Sequence, residues 1–388
     1  MKNVLLICSK LAEERTGGVQ TRIINYAKNS EKLGIRLTIL SLSEYQKIEN
    51  TQYNNSKLIK YPKNLYLKYP FFLFNIIKKY RIESIHILEG SLGKYQIFSL
   101  FMGNILKKKT GISLYGGEIW DVKHLNKAGL KLKLKVIQRL ASVISVNSQA
   151  TAKFIPIKYQ DKINIVYPGV NMDLLNYELP PKESNKFELL YVGRIFRRKG
   201  LDDIIKALSI VKTLNNNIHL NVIGPKMQSE IYYKLSQQNK LEPTKDSEEY
   251  FKLLSQKYKV ADKVSFLGEI SDLKKLASYY NNCDIFIMAP KITNPPSGYE
   301  SFGCVYLEAA LFKKPVLGTK HYGVLESVVD GKTGLLVPEN NPKEIASAIK
   351  KLILNDDLRI ELGENGYNRT ISTYTDLQST EQLLKPYL

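Results

Sequence analysis

Two stretches of the sequence carry side chains able to hold an anion and a polyol together. In YVGRIFRRKGLDDIIKAL (191–208) an apolar run ends at Gly193. Arg194 and Lys199 then stand five apart across a basic turn, and a helical pattern starts near Gly200. Cations at the end of a strand neutralise a diphosphate through charge-assisted hydrogen bonds. In GYESFGCVYLEAALF (298–312) Glu300 and Glu308 bracket Phe302, Gly303 and Cys304, where a helix should begin. A helix N-terminus takes phosphate oxygens on its main-chain N–H groups, and a glycine there lets the ligand come close. A carboxylate accepts pairs of hydroxyl donors, such as the vicinal hydroxyls of ribose or a hexose. On this reading Glu308, in the second turn, reaches a ribose and Glu300, ahead of the helix, reaches a sugar. A third stretch, TGGVQTR (16–22), follows the first apolar run. Its Gly17 and Gly18 permit close backbone approach before another helical pattern. Each stretch also has a plainer account when taken alone. Acidic residues near a helix start serve its dipole, a basic turn is often only solvated, and a Gly pair makes a tight turn.

These residues need strand ends to position them, and the sequence supplies strands in two series. VLLIC (4–8), RLTILSL (36–42), SIHILEG (84–90), ISLYGG (112–117) and VISVN (143–147) form the first. ELLYVG (188–193), HLNVIG (219–224), KVSFLG (263–268), DIFIMAP (284–290) and PVLGT (315–319) form the second. Short apolar runs separated by helical patterns predict parallel sheets covered on both faces, hence an α/β fold with two Rossmann-like domains. The expected division is 1–170, a linker over 171–186, and 187–370. The segment 371–388 is free to pack back on the first domain. Residues 226–262 read as a polar helical addition to the second domain. Ligands of open α/β sheets bind outside the carboxyl ends of the strands, where the chemistry-bearing residues fall.

At 388 residues the chain is long for one domain. No apolar run approaches the roughly 20 residues of a membrane span. MKNVLLICSK is too short in its apolar part for a secretory leader and reads as a buried strand. Cys8, Cys283 and Cys304 are dispersed and odd in number, which fits reduced thiols in the cytoplasm. No cysteine–histidine cluster and no Asp-x-Asp points to a metal. The net charge of +20 is uneven, since residues 1–180 hold 28 Lys and Arg against 12 Asp and Glu. In KAGLKLKLKVIQRLASVI (127–144), Lys127, Lys131, Lys135 and Arg139 recur every four residues beside Leu130, Leu134, Ile137 and Ala141. KYPFFLFNIIKKYR (68–81) ends in a second basic cluster. Such helices suit an anionic membrane surface. They also suit a sheet face with solvated lysines, and the apolar residues favour that packing. No nucleic-acid-binding motif appears.

Glu300-Ser-Phe-Gly-Cys-Val-Tyr-Leu-Glu308 matches a glutamate–seven residues–glutamate motif. With TGGV, GRIFRRKG, FLGEI and PVLGT…GVLESVVDGKTGLLVPE in the same order, the chain resembles glycosyltransferase family 4, the "glycosyl transferases group 1" type. The resemblance is strongest over 188–340. It implies the GT-B fold, with a cleft between the domains, and a retaining glycosyltransferase that uses a nucleotide-sugar donor without metal or cofactor. It implies a glycan or lipid-linked acceptor at the membrane surface, in cell-surface glycan or glycolipid synthesis. Arg194 and Lys199 then match the diphosphate clamp, Glu308 the ribose ligand and Glu300 the carboxylate that contacts the transferred sugar. The amides of Phe302, Gly303 and Cys304 meet oxygens, the backbone near Ile270 reads the base, and Gly17–Gly18 close over the sugar phosphate. Where the family often carries a histidine, this chain has Tyr115, followed by Glu118, Asp121 and His124 on the acceptor or sugar side. A sugar phosphorylase or soluble sugar-phosphate transferase of the same fold stays open, as does a non-catalytic module that binds nucleotide sugar or anionic lipid.

Overall fold

The structure is a computed structural model that describes residues 1–9, 18–42, 56–61, 66–88, 93–117, 119–120, 128–182, 185–214, 217–293 and 298–388. Two compact units divide the chain: Met1–Gly169 with Tyr374–Leu388, and Val170–Thr373.

The first unit is built on a seven-stranded sheet in the order β3-β2-β1-β4-β5-β6-β7. Its strands are β1 Lys2–Cys8, β2 Ile35–Ser41, β3 Lys57–Lys60, β4 Ser84–Ile87, β5 Lys109–Leu114, β6 Val143–Val146 and β7 Ile163–Ile165. Every pairing is parallel. The continuous apolar run of β1 follows from burial on both faces. Val4, Leu6 and Cys8 enter one core with Ile23, Tyr26 and Ala27 of the helix Gly18–Asn29. Leu5 and Ile7 enter the other with Leu73, Ile76 and Ile77 of the helix Tyr69–Lys79.

The helix Ala128–Leu140 buries Leu134 and Ile137 in that second core, with Ala141 just beyond it, while Lys131, Lys135 and Arg139 are exposed. Lys127 lies outside the described residues. Among the described residues no helix is long and apolar enough to cross a membrane.

The final helix, Asp376–Leu384, belongs to this first unit. It packs on Gly18–Asn29, where Asn29 Nδ2 donates to Asp376 at 3.2 Å. Beyond it, the Tyr387 hydroxyl lies 2.6 Å from His86 Nδ1, and His86 Nε2 lies 2.8 Å from Ser113 Oγ. Burial pushes the His86 imidazole down to about 3, so it bridges the two hydroxyls uncharged.

A six-stranded parallel sheet in the order β10-β9-β8-β11-β12-β13 carries the second unit. Its strands are β8 Phe187–Val192, β9 Ile218–Ile223, β10 Val264–Phe266, β11 Ile285–Ile287, β12 Val316–Thr319 and β13 Gly334–Val337. The helix Leu201–Val211 packs on Pro342–Ile353, and Cys304–Leu311 packs on Asp356–Thr373. The short helix Met172–Leu175 packs on Leu273–Asn282, so this part of the expected linker lies with the second unit.

One difference from the sequence reading has a simple cause. β3, β7 and β13 were not anticipated; each is a sheet edge of three or four residues with one neighbour, so little apolar sequence marks it. The polar stretch 226–262 forms two helices, Glu230–Gln238 and Ser247–Lys257. Their Tyr232, Leu235, Tyr250, Phe251 and Leu254 enter the main core.

Candidate functional site

The site forms where the loops after β8, β11, β12 and β13 meet. After β8 the chain runs through Ile195, which is buried, into the short turn Arg197–Lys199 and the helix Leu201–Val211. Gly200 joins turn to helix at φ +77°, and a Cβ there would sit 1.8 Å from the Ala289 carbonyl oxygen. Only glycine both adopts this backbone and lets the turn lie against the exit of β11. Ala289 N–H donates to the Lys199 carbonyl at 3.2 Å, and Lys291 N–H to the Arg198 carbonyl at 2.9 Å. The buried Lys291 ammonium then pairs with Asp202 at 2.8 Å and Asp203 at 2.6 Å. Gly200→Ala is expected to cost about 2–4 kcal/mol, from left-handed strain plus a backbone overlap, measured by urea unfolding.

The loop after β11 returns at Gly298 and reaches the helix Cys304–Leu311 through Glu300–Gly303. The N-cap of this helix is Gly303, which has φ +89° and no side chain of its own to cap it. A Cβ on Gly303 would lie 2.7 Å from the Tyr306 ring, whose hydroxyl donates to the Met288 carbonyl at 2.6 Å and fixes the helix to the end of β11. The N-terminus therefore approaches the sheet behind a bare backbone, with the Phe302 ring buried and Cys304 half-buried.

Lys199 and Glu300 are brought together: the ammonium donates to the carboxylate, and the Arg198 guanidinium lies 3.8 Å from the same oxygen. Burial pushes the Glu300 carboxyl up, but Lys199 and Arg198 outweigh it and hold the group below its ordinary range. Burial lowers the Lys199 pKa, Arg198 adds to that, and Glu300 only partly opposes it. Two cations thus share one carboxylate. The Arg198 Nε and Nη1 atoms are buried without a hydrogen-bond partner among the described residues. Glu308, one turn into the helix, accepts a hydrogen bond from the Tyr280 hydroxyl at 2.6 Å; burial raises its pKa, and that bond only partly opposes the rise.

The remaining candidates make other contacts. Arg194 is exposed, and its carbonyl takes a bond from the Tyr191 hydroxyl at 2.8 Å. Ile270 is half-buried after β10, against the core. In the first unit Tyr115 directly follows β5, and the Arg22 guanidinium lies over its ring at 4.7 Å from the centroid. Gly18 is the first residue of its helix. Gly17, Glu118, Asp121 and His124 lie outside the described residues. Sequence reasoning missed Arg198, which is hidden in a basic run, and Tyr280, which has no motif. It also missed His321 and Glu339, which hold the Glu300 backbone. Their only mark is a polar residue just past an apolar strand.

Residues 178–369 match the family described as "Glycosyl transferases group 1". A capsular polysaccharide biosynthesis glycosyltransferase of Staphylococcus aureus is 30% identical over 204 residues, 53% of this chain and 46% of that protein. The chain thus spans less than half of that relative. An uncharacterized glycosyltransferase of Methanocaldococcus jannaschii is 26% identical over 391 residues, 91% of this chain and 90% of that protein. Among solved structures, Anabaena HepE in complex with UDP and glucose superimposes with a TM-score of 0.75 at 16% identity, covering 100% of this chain and 99% of that one. A glycosyltransferase from Rickettsia africae does so with a TM-score of 0.74 at 22% identity, covering 100% and 98%. At these identities the structural likeness establishes the fold, which is GT-B.

Proposed function

Since residues 178–369 belong to the glycosyl transferases group 1 family, we propose that this glycosyltransferase moves a sugar from a nucleotide-sugar donor, with retention and without a metal. The observation that carries the reading is Lys199 paired to Glu300 beside a helix N-terminus whose N-cap is glycine, with Glu308 one turn further in. A donor supplies what this set lacks: an anion for the surplus cations and hydroxyls for the two carboxylates. Lys199, Arg198 and the helix N-terminus stabilise the diphosphate leaving group electrostatically, the work a metal performs elsewhere. Glu300 meets the transferred sugar and Glu308 the ribose. The leaving phosphate takes the acceptor's proton, so no dedicated protein base is required. HepE, of the same fold, was solved with UDP and glucose, which supports a nucleotide sugar as the donor.

The acceptor in this reading is a glycan or lipid-linked sugar at an anionic membrane surface. Its support is the charge of residues 1–180 and the exposed Lys131, Lys135 and Arg139. The test is a thermal-shift screen of UDP-, GDP-, ADP- and CDP-hexoses, followed by donor hydrolysis with and without anionic liposomes. Stabilisation by at least one donor, with turnover raised by liposomes, is expected. No stabilisation by any donor would overturn the transfer reading, and indifference to liposomes would overturn the membrane part.

Glu308 adds a pH signature. Only the carboxylate accepts on both oxygens, since protonation turns one of them into a donor, and its pKa is raised. Donor affinity is therefore expected to fall as pH drops through a value above the ordinary carboxylate range. Glu308→Gln should bind weakly at every pH and lose that limb, as titration calorimetry from pH 5 to 8 will show.

A further inference from the structure

Behind Glu300 lies a relay through a buried histidine to a half-buried carboxylate that the transfer reading does not use. The Glu300 main-chain N–H donates to His321 Nε2 at 3.0 Å, and its carbonyl accepts from Gly323 N–H at 3.1 Å. His321 stands just past β12, and its side chain is wholly buried. Its Nδ1 is 2.6 Å from Glu339 Oε1, just past β13. The other oxygen of Glu339 accepts Ile292 N–H at 2.9 Å. Ile292 and Glu300 flank the loop after β11, so Glu339 holds one flank directly and the other through His321.

The hydrogen bonding selects one arrangement of protons. Nε2 accepts from an amide and so carries no proton, which leaves the imidazole proton on Nδ1, facing the carboxylate. Burial pushes the Glu339 carboxyl up, but the His321 and Ile292 hydrogen bonds and nearby charges outweigh it and keep it below its ordinary range. A carboxylate orienting a histidine is usually found where the histidine touches a metal or a substrate. Here the far nitrogen touches the backbone of another acidic residue.

We propose that His321 and Glu339 are positioning residues that set where the Glu300 carboxylate stands. The proposal rests on Glu300 being the carboxylate that meets the donor sugar. β11, β12 and β13 are sheet neighbours, and the relay ties the loops at their three carboxyl ends into one support. Small displacements of a substrate-positioning group cost rate steeply, up to about 100-fold for ~1 Å. The diphosphate and ribose contacts of Lys199 and Glu308 do not pass through the relay, so donor binding should change little while turnover falls.

The test uses His321→Leu, which removes the acceptor, His321→Gln, whose amide oxygen can replace Nε2, and Glu339→Gln. A carboxamide offers one acceptor where Glu339 uses two, so Glu339→Gln either frees Ile292 N–H or drives the imidazole proton to Nε2, against Glu300 N–H. Hydrolysis of the best-stabilising hexose donor is read as kcat and KM, and amide hydrogen exchange at Glu300 is read without donor. For His321→Leu and Glu339→Gln, kcat should fall about 10- to 100-fold with KM within about 3-fold, and Glu300 exchange should quicken. His321→Gln should recover kcat to within about 3-fold. Equal losses in His321→Leu and His321→Gln, a change in KM alone, or unchanged exchange at Glu300 would each overturn the proposal. If His321→Leu does not fold, Glu339→Gln carries the same comparison. A wild-type chain that hydrolyses no donor defeats the transfer reading instead, and exchange at Glu300 still decides whether the relay holds that backbone.

Discussion

Glu300→Gln is expected to lower sugar transfer by about 10²–10³-fold, the usual cost of removing one preorganised electrostatic group at a reacting centre. The substitution keeps shape and removes charge. Its main chain remains held by His321 and Gly323, so the loop stays in place. Lys199 loses its anion, but burial already lowers its pKa, so the unpaired ammonium can shed its proton rather than unfold the domain. A melt by circular dichroism should therefore move only a few degrees while donor hydrolysis collapses. Wild-type turnover in the variant would remove Glu300 from the site.

Lys199→Met is expected to damage both stability and activity. It leaves Glu300 in a buried position with Arg198, 3.8 Å away, as its remaining ion-pair partner among the described residues. Breaking one side of a buried pair costs about 3–5 kcal/mol; both side chains keep a little exposure, so about 2–4 kcal/mol is the expectation. The pH dependence identifies the cause. Glu300 has a folded pKa below its unfolded one, so the unfolded chain binds the proton first as pH falls. The pair's contribution is thus complete above the unfolded value of about 4.3 and disappears as pH drops through the folded value. The gap in Tm between wild type and variant should be widest near neutrality and narrow on acidification. A gap independent of pH would mean that Lys199 supports the fold by packing alone. On the transfer reading Lys199 meets the donor diphosphate, so donor affinity should fall at all pH values.

Much of the architecture was open to sequence reasoning, because strands buried on both faces leave unbroken apolar runs. VLLIC and ELLYV are such runs, and they became β1 and β8. KLIK, INI and GLLV carried no comparable mark, since an edge strand has one neighbour and tolerates lysines at its ends. The same contrast runs through the site. Lys199, Glu300, Gly303 and Glu308 stand at fixed offsets from strand ends, so spacing exposes them. Arg198, Lys291, His321 and Glu339 act on residues far away in the chain. Those pairings exist only once β8, β11, β12 and β13 lie side by side, and no spacing encodes them.

The Tyr387–His86 contact has a consequence for the order in which the molecule is made. The first sheet is threaded by residue 165, yet its buried His86 and one face of its first core receive their last partners from residues 383–387. Domains commonly fold from the N-terminus as they leave the ribosome. Here the intervening unit, residues 170–373, emerges in full before the first can close. The second unit can mature during translation, while the first waits with its Gly18–Asn29 helix partly uncovered. Removing residues 383–388 would therefore injure the unit that begins at Met1 and spare the unit of residues 170–373.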